Sequence, residues 1–274
     1  MPRIHAPEIE DEAWCPRVIR DGLTGFLQTS SEVLGVYDGA TGLVADVVAR
    51  HPASRLVDLC SGGGGPLLRL RTALKAMHHI DVDAVLTDLY PNVGAFAAAE
   101  ARSGGKVVGL REPVDASDVP ASLGGVRTIF NGFHHFRPEL ARRIVVDAAR
   151  KRQPFISVEV VDRRLITVLV LMATPLAAVL LLPWSRPLTL ARAVLTWVVP
   201  LIPLGIWWDG MMSCLRSYSP DELRALTNDL NSTDYAFRIE HIAVPWLPLR
   251  LTALVGEPLQ PPSTTSHSTS PPIN

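Results

Sequence analysis

Arg55-Leu-Val-Asp-Leu-Cys-Ser-Gly-Gly-Gly-Gly-Pro66 decides the fold of this 274-residue chain. Leu56, Val57 and Leu59 suit a buried parallel strand, and Leu67, Leu68, Leu70 and Leu74 give the next segment a helical apolar face. Pro66 stands in a first helical turn, where its missing N–H costs nothing. The glycines therefore lie where strand turns into helix. In an open α/β sheet that point is the carboxyl edge, where ligands bind, and glycine there permits positive φ and close approach of the backbone to a ligand. A tight turn without a ligand would use the same residues. Spacing excludes two familiar loops. A GxGxxG reading from Gly62 or Gly63 meets Leu67 or Leu68 at its last glycine, and no Lys follows the run as a phosphate loop requires.

What remains resembles the first motif of class I S-adenosylmethionine-dependent methyltransferases, an apolar strand with an acid followed by a glycine-rich turn. The resemblance implies that Asp58 takes the acid position and that Ser61, Gly62 and Gly64 form the cofactor loop. Asp83-Ala-Val-Leu-Thr-Asp88 reads as a second short strand, followed by Leu89, and a carboxylate at such a strand end can accept two hydrogen bonds from ribose hydroxyls. Asp88 lies thirty residues beyond Asp58, more than the roughly twenty of dinucleotide folds. A third strand from Lys106 leaves the sheet by Pro113, since proline cannot donate to a central ladder. Asp115-Ala116 follows and resembles the family's third motif, whose acid sits near the adenine amino group. Asp88 and Asp115 are also residue types that cap turns and helices.

Arg127 to Phe136 reads as a fourth strand running into a polar, aromatic turn at the same edge. It resembles the family's fourth motif, which faces the transferred methyl group, and the resemblance implies that Asn131, standing where many relatives carry an acid, is among the cofactor-binding residues. His134 and His135 are then the available catalytic bases, because an imidazole titrates near neutral pH. Helix capping or packing is the other use for either ring.

Strands and helices alternate through a fifth strand, Pro154 to Val161. The chain closes with a capped helix start at Ser219-Pro-Asp-Glu222 and two further strands, Tyr235 to Val244 and Leu249 to Val255, joined as a hairpin. The fold class expected is α/β: a doubly wound, seven-stranded, mostly parallel sheet of the Rossmann-like methyltransferase kind, with an apolar helical hairpin inserted after the fifth strand. The expected organisation is a helical cap over 1–54, a cofactor-binding core over 55–162, the hairpin over 163–210, the rest of the core over 211–257 and a disordered Pro/Ser/Thr-rich tail over 258–274. Within the cap, Trp14 to Gln28 reads as a helix packed through Trp14, Val18, Leu23 and Phe26.

The insertion is the second distinctive feature. Leu165 to Ser185 holds no charged residue over 21 positions, and Ala193 to Trp208 none over 16. At about 1.5 Å per residue the first can cross a hydrocarbon core of about 30 Å, whereas the second is marginal and carries Pro200 and Pro203. Because both ends join one sheet, a hairpin is permitted and a single crossing is not. The hairpin can span the membrane twice or lie in it as a re-entrant or interfacial element, with Trp184, Trp197, Trp207 and Trp208 suited to headgroup depth, and buried helices of a soluble cap are the competing reading. An apolar surface beside the donor site points to a small hydrophobic or lipid-like acceptor and to the cytoplasmic side of a membrane. Asp209, Arg216 and Tyr218, at the return to the core, could orient a polar acceptor head or form a helix-end ion pair.

Hydrophobic residues make up 47% of the chain, with mean hydropathy +0.21, which is apolar for a soluble enzyme. A net charge of −1 provides no general attraction to nucleic acid. Three scattered cysteines outline neither a disulfide framework nor a metal site, and the acids at Glu8, Glu10, Asp11 and Glu12 interrupt any signal-peptide pattern. The reading is methyl transfer from S-adenosylmethionine. Its rival is a membrane-associated protein that keeps the fold and the cofactor without transfer, a rival sustained by Asn131.

Overall fold

The computed structural model describes residues 2–51, 55–185, 188–232 and 234–259. After the N-terminal segment come α1 (Arg17–Leu34) and α2 (Thr41–Arg50), then β1 (Arg55–Asp58), α3 (Gly65–His78), β2 (Asp83–Leu86), α4 (Val93–Ser103), β3 (Val107–Gly109), β4 (Val126–Phe130), α5 (Pro138–Arg150) and β5 (Phe155–Glu159). The insertion holds α6 (Leu165–Leu171), α7 (Thr174–Leu181), α8 (Leu190–Ala193) and α9 (Leu201–Arg216). The chain closes with α10 (Pro220–Thr227), β6 (Tyr235–Ala243) and β7 (Arg250–Pro258).

The strands form one seven-stranded sheet in the order β3-β2-β1-β4-β5-β7-β6. β1 to β5 run parallel, and β7 enters antiparallel between β5 and β6. Reversal of strand order beside β1 opens a crevice at the carboxyl ends of β1 and β4, where ligands bind in such sheets. Side-chain alternation assigns the two faces. Leu56, Ala84, Leu86, Val126 and Ile156 pack under α2, α3 and α4, while Val57, Leu59, Ile129 and Phe155 pack under α5 and α10.

Local chemistry sets the helix ends around the crevice. Gly64 caps α3 at φ +71°, and a Cβ there would lie 2.8 Å from Leu86 Cδ1. The Asn92 side chain accepts from Ala95 N–H at 3.1 Å to start α4. Ser219 and Glu222 form the reciprocal capping box of α10.

Several expectations need correction. Helix α1 begins three residues later and ends six residues later than read, and Trp14, outside it, is 68% exposed and not part of the core, because the chain turns at Pro16 before the apolar face begins. Leu23 does pack, against Ala178, Ile202 and Ile206 of the insertion, a burial worth about 2 kcal/mol. Helix α2, expected in a cap, lies on the sheet through Val44 and Val47. A boundary at 210 would cut α9, which is continuous to Arg216. Pro258, expected in the tail, ends β7 opposite Tyr235, tolerated because its missing N–H falls at a strand terminus; the rest of the expected tail from 260 lies outside the described residues.

The uncharged first arm of the insertion, Leu165–Trp184, is long and apolar enough to cross a membrane, with mean hydropathy 2.7 over its most apolar stretch. The second arm is bent by 73° between Val198 and Leu201, at Pro200, as proline's missing N–H and ring demand. Leu165, Leu169, Met172, Leu176, Leu180 and Trp184 recur at helical spacing and are all exposed. An apolar stripe of this size facing water is atypical of a soluble monomer.

Candidate active site

The glycine loop occupies the sheet's carboxyl edge and is held there by the strand ends beside it. Ser61 N–H donates to Thr87 O at 2.9 Å, Thr87 N–H donates to Asp58 O at 2.9 Å, and Leu59 N–H donates to Thr128 O at 2.8 Å. Gly62 has φ +51°, and a Cβ at this position would meet no atom within 4 Å. Packing thus leaves space in front of Gly62, and its φ is one that side chains resist. Cys60 also takes positive φ, +56°, and burial pushes its thiol up, away from a reactive thiolate. Helix α1 closes the loop's outer side, because a Cβ on Gly65 would lie 2.9 Å from Gln28 Cα.

Asp88 stands two residues past β2 and joins that strand to the loop. Its Oδ2 accepts from Gly62 N–H at 3.0 Å and its Oδ1 from Tyr90 N–H at 2.9 Å. A carboxylate has about four lone-pair sites, so two remain for a ligand. Leu89 is exposed beside it. Asp115, also exposed, accepts from Ser117 N–H at 2.7 Å in an Asx turn, and Ala116 is buried. Val114 N–H donates to Asp88 O at 2.9 Å, which brings this turn against the β2 end. Asp58 is turned elsewhere. Its Oδ1 accepts from the Thr128 hydroxyl at 2.6 Å across to β4, and the residue is buried. Burial pushes its carboxyl up to about 7, with Asp88 adding to the rise and the Thr128 bond opposing it.

At the end of β4, Asn131 takes φ +49°, a conformation asparagine tolerates better than most residues. Its N–H donates to Val158 O at 2.8 Å and its Oδ1 accepts from Val160 N–H at 3.4 Å, so the side chain binds the backbone beyond β5.

The chain as a whole superposes on a solved structure. The plantazolicin methyltransferase BpumL, in complex with SAH, superposes with a TM-score of 0.51 at 11% identity, over 87% of this chain and 97% of its own. The chain has the class I methyltransferase fold. An O-methyltransferase family protein from Burkholderia thailandensis matches at 14% identity and TM-score 0.48 over 84% of this chain. The mitomycin 7-O-methyltransferase MmcR matches at 14% identity and TM-score 0.47 over 80%. The chain spans 58% and 53% of the length of these two proteins. No protein-family model matches the chain, and no curated protein matches its sequence.

Beside this methyltransferase fold's crevice, the turn after β4 carries the two histidines, with ring centroids 4.3 Å apart. His134 is completely buried, and its Nδ1 lies 2.6 Å from Glu159 Oε2. The same carboxylate takes Phe133 N–H through Oε1 at 2.7 Å. His135 sets Nδ1 against Asp11 Oδ2 at 3.3 Å and Nε2 3.5 Å from Glu8 Oε2. Desolvation pulls the His135 ring down, but Asp11, Glu8 and Glu10 outweigh it and push its pKa up to about 9. Both rings are thus turned to carboxylates of the N-terminal segment or of β5.

That segment is the part of the site the sequence reading missed. Residues 3–12 form a strap laced to the second half of α9. Asp209 accepts Ile9 N–H at 2.6 Å and Glu10 N–H at 3.2 Å. Arg216 donates to Ala6 O at 2.5 Å and to Asp11 Oδ2 at 2.5 Å, and Trp208 Nε1–H donates to Pro7 O at 3.2 Å. Arg3 donates to the carbonyls of Arg216, His134 and Phe136 and stacks 4.1 Å over Tyr218. Asp209 and Arg216 therefore pair with the strap and not with each other. The available signal was an acid-rich N-terminus together with one acid and one arginine next to an uncharged stretch, groups that need partners when buried.

Proposed function

We propose that the protein transfers a methyl group from S-adenosylmethionine to a small hydrophobic or lipid-like acceptor. The observation that carries this reading is the open space before Gly62, flanked by the unspent acceptors of Asp88 on a sheet of this topology. Gly62 and Gly64 would let the loop backbone approach the donor, Asp88 would take the ribose hydroxyls, and Asp115 and Ala116 would border the adenine. Asp58 supports this loop from behind by fixing β1 to β4. The cofactor would supply a methyl group on a positively charged sulfur, and the protein's main contribution would be to hold donor and acceptor in a near-attack geometry.

The exposed apolar stripe of the insertion supports an acceptor drawn from an apolar phase and a site at a membrane surface, on the cytoplasmic side in this proposal. Helix α9 begins in that apolar arm and ends at the histidine turn, which gives an acceptor a route from the apolar surface to the donor edge. Association with a bilayer through the stripe fits its spacing and its terminal Trp184.

Calorimetric titration of detergent-purified protein with S-adenosylmethionine and S-adenosylhomocysteine tests the reading. Saturable binding of both is expected, weakened about hundredfold in Asp88→Ala through loss of two charge-assisted hydrogen bonds. Binding of neither ligand, with or without lipid vesicles, overturns it. Binding without methyl transfer to any extracted lipid fraction would favour the non-transferring alternative.

A further inference from the structure

The strap closes over the histidine turn in a way that leaves one buried nitrogen without a partner. His134 Nδ1 sits 2.6 Å from Glu159 Oε2 and is the ring's donor, so in the neutral imidazole Nε2 carries a lone pair. Nε2 is completely buried, makes no hydrogen bond and points toward Glu8 Oε1 at 3.7 Å. Glu8 Oε1 also accepts from the Ser213 hydroxyl at 3.1 Å, so the orphaned atom is the imidazole nitrogen, and a buried lone pair facing a carboxylate is a cost unless a proton or a metal cation lies between them. His135 Nε2 approaches the other oxygen of the same carboxylate, Oε2, at 3.5 Å.

We propose that Glu8, His134 and His135 bind a divalent transition-metal ion of the zinc class. Their donor atoms all lie within 4.8 Å of one another. Two ligands of a tetrahedral zinc at about 2.1 Å stand roughly 3.4 Å apart, close to the 3.7 Å and 3.5 Å from the Glu8 oxygens to the two Nε2 atoms. Each imidazole has a carboxylate at its other nitrogen, Glu159 for His134 and Asp11 for His135, the arrangement that orients metal-binding histidines and raises their basicity. Two imidazoles and one carboxylate suit zinc, iron or manganese, and three protein ligands leave a position for a water or another oxygen ligand.

Charge balance points the same way. Glu8, Asp11 and Glu159 touch the imidazole pair, and one guanidinium, Arg216, lies 3.2 Å from Glu8 Oε1 and 3.4 Å from His135 Nδ1. Three carboxylates against one guanidinium leave two negative charges before any proton on the imidazoles is counted, a charge that a divalent ion displacing those protons would balance. Without an ion, the carboxylates are held by protons on the imidazoles, by Arg216, by the Ser213 hydroxyl, which donates to Glu8 Oε1 at 3.1 Å, and by Phe133 N–H on Glu159 Oε1. The ligands come from the strap and from one turn more than a hundred residues away, so no spacing motif announces them.

The test uses untagged full-length protein in detergent, stripped with chelator and titrated with zinc chloride. One ion per chain is expected, with a rise in melting temperature that Glu8→Gln and His135→Gln abolish. Glu159→Gln, which removes only the orienting carboxylate, should weaken zinc roughly tenfold to hundredfold. X-ray absorption at the zinc edge of the wild-type protein should count two imidazole ligands, and this readout stands even where a variant fails to fold. Absence of stoichiometric zinc, cobalt or manganese binding overturns the proposal in favour of a proton and guanidinium network. Zinc without imidazole ligands overturns it equally. Neither outcome touches donor binding at Gly62 and Asp88, which calorimetry reads separately.

Discussion

The glycine loop and the N-terminal strap meet the same edge of one sheet, yet they are built in opposite ways. The loop is a local structure: strand, turn and helix are contiguous in sequence, and its conformation follows from glycines at 62 and 64 and Pro66 in the first helical turn. The strap is held mainly by partners about 120 to 210 residues away, the side chains of Asp209, Arg216, His134 and His135. The contrast teaches where each region is vulnerable. A change in the loop acts on the ligand it faces, whereas a change in the strap acts on the contacts between distant segments.

The largest effect expected concerns what lies outside both regions. Leu176 is 61% exposed in the apolar stripe, and Leu176→Arg should weaken partition into lipid vesicles by about 3 kcal/mol, roughly hundredfold, with unchanged donor binding. Vesicle flotation reads this; equal flotation of both proteins would remove the stripe as the membrane contact, and flotation of neither would remove the membrane from the account. Next is Asp209→Ala, which leaves two strap amides without their acceptor. A loss of about 2 kcal/mol in denaturant unfolding is expected, with faster protease cleavage near Ile9. Unchanged cleavage would show that the strap does not depend on α9.

A smaller effect separates the loop's support from its ligand contacts. The Asp58 carboxyl is raised by folding to about 7, so the native state holds its proton more tightly than the unfolded chain does. The stabilisation is complete below the unfolded pKa and is lost as pH rises through 7. Between pH 6 and pH 8 the unliganded protein should lose about 1 kcal/mol through this group. Asp58→Asn should flatten that slope in thermal scans, and a slope that persists would assign it to other groups. The smallest change expected is Ser219→Ala, which removes the α10 capping box and costs about 1 kcal/mol at every pH.

What the chain's order determined by itself was the frame: the seven strands, the α10 cap, the positive-φ glycine loop, and the break of the second apolar arm at Pro200. These follow from short-range rules, since alternation, capping and proline geometry act within a few residues. Tertiary structure alone decided which way the polar groups face. It turned Asp58 onto Thr128, spent Asn131 on the backbone beyond β5, left Trp14 exposed, and joined Glu8 to His134 and His135 under a strap. Those outcomes depend on burial, because only when water is excluded must a carboxylate or an imidazole find a partner, and the nearest one in space lies far away in sequence.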